Sequence, residues 1–134
     1  MAIHKILIVD DSPTERFYLT DILVRSGYTV AIAVNGEEAI DKIRAERPQL
    51  ILMDVVMPGA NGFQVTRAIA RDPELAAIPV IICSSKNQET DRIWGMRQGA
   101  KDYLVKPVDP ALLLAAITLL DQQAAGGAVP AVAA

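Results

Sequence analysis

Short apolar runs recur along the chain, separated by longer segments whose apolar residues fall at helical spacing. The runs are His4–Val9 (HKILIV), Tyr28–Val34 (YTVAIAV), Leu50–Met53 (LILM), Pro79–Cys83 (PVIIC) and Asp102–Val105 (DYLV). Each predicts a strand, and each is followed by a predicted helix. Ser12 or Asp11 caps the first helix, with Pro13 in its first turn where a missing N–H does no harm. Phe17, Leu19, Ile22, Leu23 and Val24 are expected on its buried side, and Ser26-Gly27 ends it. Asn35-Gly36 turns into a helix over Glu37–Arg47 that faces Ala39, Ile40 and Ile43 inward and stops at Pro48. Asn61-Gly62 opens a third helix, closed by Asp72-Pro73, and Gln88–Gln98 forms a fourth that ends at Gly99. Asp109 caps the last helix, Pro110 takes its first position, and Ala111–Leu120 continues it.

Strand and helix alternate five times, and the strands are apolar on both faces. That pattern predicts an α/β fold, a doubly wound, five-stranded parallel sheet covered by helices on both sides. The right-handed crossover rule favours the flavodoxin-like strand order 2-1-3-4-5. One domain is expected over residues 1–121. Residues 122–134 (QQAAGGAVPAVAA) are read as a flexible tail.

The polar residues that interrupt this pattern lie at the ends of strands. The first strand ends in Asp10-Asp11, the third in Asp54, the fourth in Ser84 and the fifth in Lys106. In a parallel sheet these ends share one edge, where open α/β sheets bind ligands. Three converging carboxylates repel one another and are costly to bury. A hard divalent cation relieves the conflict, and oxygen ligands suit Mg²⁺. With Lys106 nearby, the set matches phosphoryl transfer: Asp54 as nucleophile, metal and ammonium on the developing charge, and the Ser84 hydroxyl on a phosphoryl oxygen. Taken singly, each residue has a plainer role. Asp10, Asp11 and Ser84 could be helix caps, Asp54 could cap the turn before Pro58, and Lys106 could be a solvated lysine. Their shared edge is what these roles leave unexplained.

Composition narrows the classes of function. A chain of 134 residues with 51% hydrophobic and 22% charged residues suits one soluble domain. A net charge of −3 and the lack of a basic stripe argue against nucleic acid. One cysteine, Cys83 in an apolar run, excludes an intrachain disulfide, and with one histidine, His4, it argues against a Cys/His zinc site. His4 is expected to be exposed and Cys83 to be inert core. No signal peptide or spanning segment is seen, so a cytoplasmic protein without membrane insertion is expected.

DD at 10–11, MDVVMPGANG at 53–62, S at 84 and KP at 106–107 resemble the receiver domain of two-component response regulators of the chemotaxis-regulator type. The match runs from Ile3 to about Leu120. SPTE near residue 12, KNQETDRIWGMRQGAKDYLVKPVD at 86–109 and the lack of an output domain are similar to single-domain regulators of twitching motility, the type IV pilus kind. The resemblance implies Asp54 as phosphoacceptor, with Asp11, Asp54 and the Val56 backbone carbonyl holding Mg²⁺ and Asp10 contributing through water. It also implies Lys106 on the phosphoryl group, a cis Lys106-Pro107 bond, and Ser84 and Tyr103 as switch residues, Tyr103 turning inward. A histidine kinase is the implied phosphodonor. The output partner stays open, to be met on the face made by the fourth helix, fifth strand and fifth helix. Val56 and Lys86 depart from the chemotaxis regulator at positions that influence phosphoryl lifetime.

The resulting reading is a phosphorylation-controlled signalling module that turns over no free substrate. A phosphate sink or an unphosphorylated docking receiver is an alternative. An Asp-nucleophile phosphatase is a weaker one, since Val56 stands where that class places a second acid. Trp94 could anchor a partner or line the core. The last helix carries too many leucines for one stripe, so its outer side could meet a partner or a second copy.

Overall fold

The structure is a computed structural model that describes residues 2–126. Its elements are β1 (Lys5–Val9), α1 (Pro13–Arg25), β2 (Thr29–Ala33), α2 (Gly36–Glu46), β3 (Leu50–Met53), α3 (Gly62–Arg71), β4 (Val80–Ser84), α4 (Glu89–Arg97), β5 (Asp102–Val105) and α5 (Pro110–Gly126). All strand pairings are parallel and the order is β2-β1-β3-β4-β5. This is the doubly wound, flavodoxin-like arrangement that the alternation predicts.

Strand period two sorts the core into two layers. Leu7, Val9, Ile51 and Met53 face α2 and α3, in a cluster with Ile43, Phe63, Ile69 and Tyr103. Ile6, Ile8, Leu50 and Leu52 face α1 and α5, with Leu19, Leu23, Leu113 and Ile117. Full burial of one such side chain contributes about 1.5–3 kcal/mol, against about 1 kcal/mol for a cap. Packing therefore sets the layers, and caps set where helices begin.

The caps lie close to the predicted positions. The Ser12 hydroxyl accepts from the Glu15 N–H, and Asn35 accepts from the Glu38 N–H. Asn61 and Gln64 form a reciprocal capping box at the start of α3.

Two expectations need correction. Phe17 and Val24 point outward from α1, at 77% and 54% exposure. Leu19 and Leu23, one turn apart, hold the helix on the core with Ile22 beside them. Residues about 100° or more around the helix from that stripe are carried to solvent. α5 runs to Gly126, past the point where a tail was expected. Residues 122–125 have high helix propensity and no breaker; residues 127–134 of that expected tail lie outside the described residues. Thr66 is also buried in α3, its hydroxyl donating to the Gly62 carbonyl at 2.7 Å, so a polar residue belongs to the inner side.

Candidate functional site

The strand register delivers the polar residues to one edge. Val9 lies opposite Ala33 and Met53, Met53 opposite Ile82, and Ser84 opposite Val105. The ladder continues one residue further, with Asp10 N donating to the Ala33 carbonyl and Asp54 N to the Val9 carbonyl. Asp10 and Asp54 are thus fixed through their own main chains. Asp54 is 7% exposed, Asp10 2%, and Asp11 projects into solvent.

The three acids each present an oxygen within 4.8 Å of the others. Lys106, entering from the end of β5, places its Nζ 2.8 Å from Asp10 Oδ2 and 3.2 Å from Asp54 Oδ1. Burial, chiefly, and then the charge of Asp10 hold the Asp54 carboxyl above its ordinary range, with Lys106 opposing them. Burial by itself lowers the Lys106 pKa, but Asp10 and Asp54 together outweigh it and raise the value. Three oxygen donors beside a low-dielectric wall fit a hard divalent cation such as Mg²⁺. The exposure of Asp11 leaves that side open to solvent.

Neighbouring groups hold the acids in place. Asp10 Oδ1 accepts from the Ser12 N–H at 2.9 Å, and the Asp10 carbonyl accepts from Arg16 Nη1. The Ser12 N–H is therefore taken, and the Glu15 side chain does not complete a capping box. Glu15 Oε2 is buried without a hydrogen-bond partner among the described residues. Arg16 escapes sequence reading, because its bond to the Asp10 carbonyl depends on how α1 sits against the end of β1.

Gly62 explains the loop after β3. Its N–H donates to the Val55 carbonyl, and a Cβ there would collide with the Asp54 carbonyl oxygen and the Val55 Cα. Only glycine lets the start of α3 lie against the back of Asp54. Val56, in this loop, has an apolar side chain that is 58% exposed and offers only its backbone carbonyl for binding.

Ser84 is buried beneath this edge, its hydroxyl accepting from the Lys86 N–H at 3.1 Å. Tyr103 is 3% exposed and its hydroxyl donates to the Lys86 carbonyl at 2.8 Å. The ring is thus already inside, where sequence reasoning has it turning inward from an outer position. The Lys106-Pro107 bond is cis, and Tyr18 donates to the Val108 carbonyl at 2.6 Å, tying α1 to the loop that carries Lys106. Trp94 lies at the surface, 48% exposed, and so do Leu112 and Leu119 on the outer side of α5. His4 is exposed and remote from the acids, and Cys83 is buried with its thiol pushed up to about 12 by burial. No helix of the described residues is long and apolar enough to cross a membrane.

Residues 6–118 match the family model of the response regulator receiver domain. The chain is 56% identical over 113 residues to Protein PilH of Pseudomonas aeruginosa, covering 84% of this chain and 93% of that protein. It is 37% identical over 115 residues to the chemotaxis protein CheY of Thermotoga maritima, covering 84% and 93%. Among solved structures it is similar to the Vibrio cholerae chemotaxis protein CheY4, with a TM-score of 0.80 and 32% identity, covering 87% of this chain and 98% of that one.

Proposed function

The chain belongs to the response regulator receiver domain family of two-component signalling, and on that premise we propose that it accepts a phosphoryl group on Asp54 from a histidine kinase and changes partner binding in response. The observation that carries this reading is Lys106 Nζ bridging Asp10 and Asp54, with Asp11 completing an acid cluster at the same strand ends. Such an arrangement is costly to folding alone and matches the charge that phosphoryl transfer develops.

Asp10, Asp11, Asp54 and the Val56 carbonyl would hold Mg²⁺, and the ion when bound supplies positive charge to the phosphoryl oxygens. An Asp54 carboxylate oxygen attacks phosphorus, the P–O bond forms as the P–N bond to the donor imidazole breaks, and the imidazole departs with the N–P electron pair and takes up a proton. Lys106 stabilises the equatorial oxygens, and Ser84 turns its hydroxyl from the Lys86 N–H toward one of them. Burial keeps the Asp54 nucleophile oriented and partly stripped of water. The exposed Val56 side chain has no group to act as general acid, which favours a long-lived acyl phosphate over a phosphatase cycle. The module therefore phosphorylates and dephosphorylates itself without turning over a free substrate.

Tyr103 and Ser84 both contact the Lys86 backbone, so a hydroxyl that leaves the Lys86 N–H bears directly on the aromatic ring. The readout surface is the face of α4, β5 and α5, where Ile93, Val105, Leu112 and Leu119 are exposed apolar side chains. A motility role of the twitching or pilus type, with a cytoplasmic location, follows from the sequence resemblance and from the 56% identity to Protein PilH.

The test is intact-mass measurement after incubation with acetyl phosphate and Mg²⁺. The wild type should gain one phosphoryl group, and neither Asp54→Asn nor wild type in EDTA should gain it. Equal modification of Asp54→Asn would sink the assignment.

A further inference from the structure

A cavity of about 370 Å³ opens between the carboxyl-terminal halves of α3 and α4. Gly62 at the start of α3 touches the Asp54 backbone, and Arg71 ends the same helix nine residues on, about 13 Å along its axis. The cavity is thus far from the acid cluster. Arg67 and Arg71 line it from successive turns of α3, Trp94 and Arg97 from successive turns of α4, and Gln98 closes it behind Arg97.

The charge balance there is unusual for this chain. Acids outnumber cations, 16 to 13, yet no acidic residue lines the cavity. Among the described residues, no salt bridge involves Arg67, Arg71 or Arg97. Cations in the last turn of a helix complement its dipole. That accounts for Arg71 and Arg97 but not for Arg67, a full turn earlier, nor for an indole left half exposed beside them. Three guanidinium groups around one concavity repel one another until an anion joins them.

The geometry points to a nucleotide site. Phosphate oxygens accept from the forked donors of Arg67, Arg71 and Arg97, and the base stacks on Trp94. The size is in the range of small-ligand pockets. A polymer is disfavoured, because the chain has no basic stripe leading away from the cavity. A ligand here would also meet α4 one residue from Gly95, which packs against the Tyr103 ring.

Trp94 is the chain's only tryptophan, so its fluorescence reports on the cavity directly. The experiment is a titration of the full chain with ADP in EDTA, repeated by calorimetry. Saturable quenching is expected, weakening as salt rises. The double variant Arg71→Ala/Arg97→Ala should lose about tenfold or more in affinity, having lost two charge-assisted partners. It should still accept a phosphoryl group from acetyl phosphate as the wild type does, which separates this site from the one at Asp54. Trp94→Leu should bind ADP more weakly by calorimetry. Unsaturable quenching, or full affinity in the double arginine variant, would overturn the proposal. Pyrophosphate binding as tightly as ADP would also overturn it, since the base would then contribute nothing.

Discussion

The backbone N–H of Lys106 donates to the carbonyl of Ser84 at 2.8 Å. The cation and the hydroxyl of the acidic edge are therefore joined through main chain, and changing one side chain leaves the other in place. Ser84→Ala should bind Mg²⁺ with an affinity within about twofold of wild type and lose about 1 kcal/mol of stability with the Lys86 N–H bond. Phosphoryl acceptance from acetyl phosphate should slow. Calorimetry and intact-mass time courses check this, and a large loss of metal affinity would contradict it.

Lys106 is the only cation seen between Asp10 and Asp54 among the described residues. In EDTA, Lys106→Ala should destabilise the fold by about 3 kcal/mol, as expected when a buried charge partner is removed. Saturating Mg²⁺ should restore part of this. In the wild type, free Mg²⁺ at about tenfold its Kd should add about 1.4 kcal/mol. Because the folded-state pKa of Lys106 is raised above 10.5, its contribution is complete below that pH and is lost as pH climbs through the raised value. Urea melts with and without the metal measure each effect.

The Asp54 carboxyl is held above its ordinary 3.8, first by burial and then by Asp10. A raised acid binds its proton more tightly in the folded state. Its contribution to stability therefore declines as pH rises from 3.8 through the raised value, and stays low above it. Metal-free Asp54→Asn should be more stable than wild type at pH 7, and the difference should fade below pH 3.8. Equal urea midpoints at neutral pH would refute this.

Cys83 is 1% exposed and its thiol is pushed up to about 12. At pH 8 the native protein should resist iodoacetamide and alkylate only after unfolding in urea. Mass spectrometry shows this directly.

Gly95 is the one buried residue of α4. A Cβ there would meet Ile82 Cδ1 at 2.9 Å, Tyr103 Cδ2 at 3.1 Å and Phe63 Cε1 at 3.3 Å. Gly95→Ala gains about 1 kcal/mol of helix propensity and loses about 1–3 kcal/mol to overpacking. Net destabilisation with a shifted Tyr103 resonance is expected; a more stable variant with an unmoved ring would be inconsistent with these contacts.

Much of this was legible because strand chemistry is local. Leu50–Met53 is apolar on both faces and ends in Asp54, and the parallel order then brings Asp10, Asp11 and Lys106 to the same edge. Caps at Ser12, Asn35 and Asn61 are equally local. What stayed hidden depends on rotation and on contacts between elements. Phe17 and Val24 look like core residues until Leu19 and Leu23 fix which way α1 turns. The inner position of Tyr103 depends on the Lys86 carbonyl, and the arginine-lined cavity draws on two helices with no shared motif.

Of the nine residues in α4, only a glycine reaches the interior. A helix without a side chain wedged into the core has little to lose by sliding or unwinding, and its amides should exchange with solvent well before those of β1 or β3. This bears on how loud a signal must be. One hydroxyl changing partners at Ser84 can shift an equilibrium by only a kcal/mol or so. Anything anchored as firmly as β3 would be deaf to it; α4, resting lightly on Tyr103, is soft enough to hear.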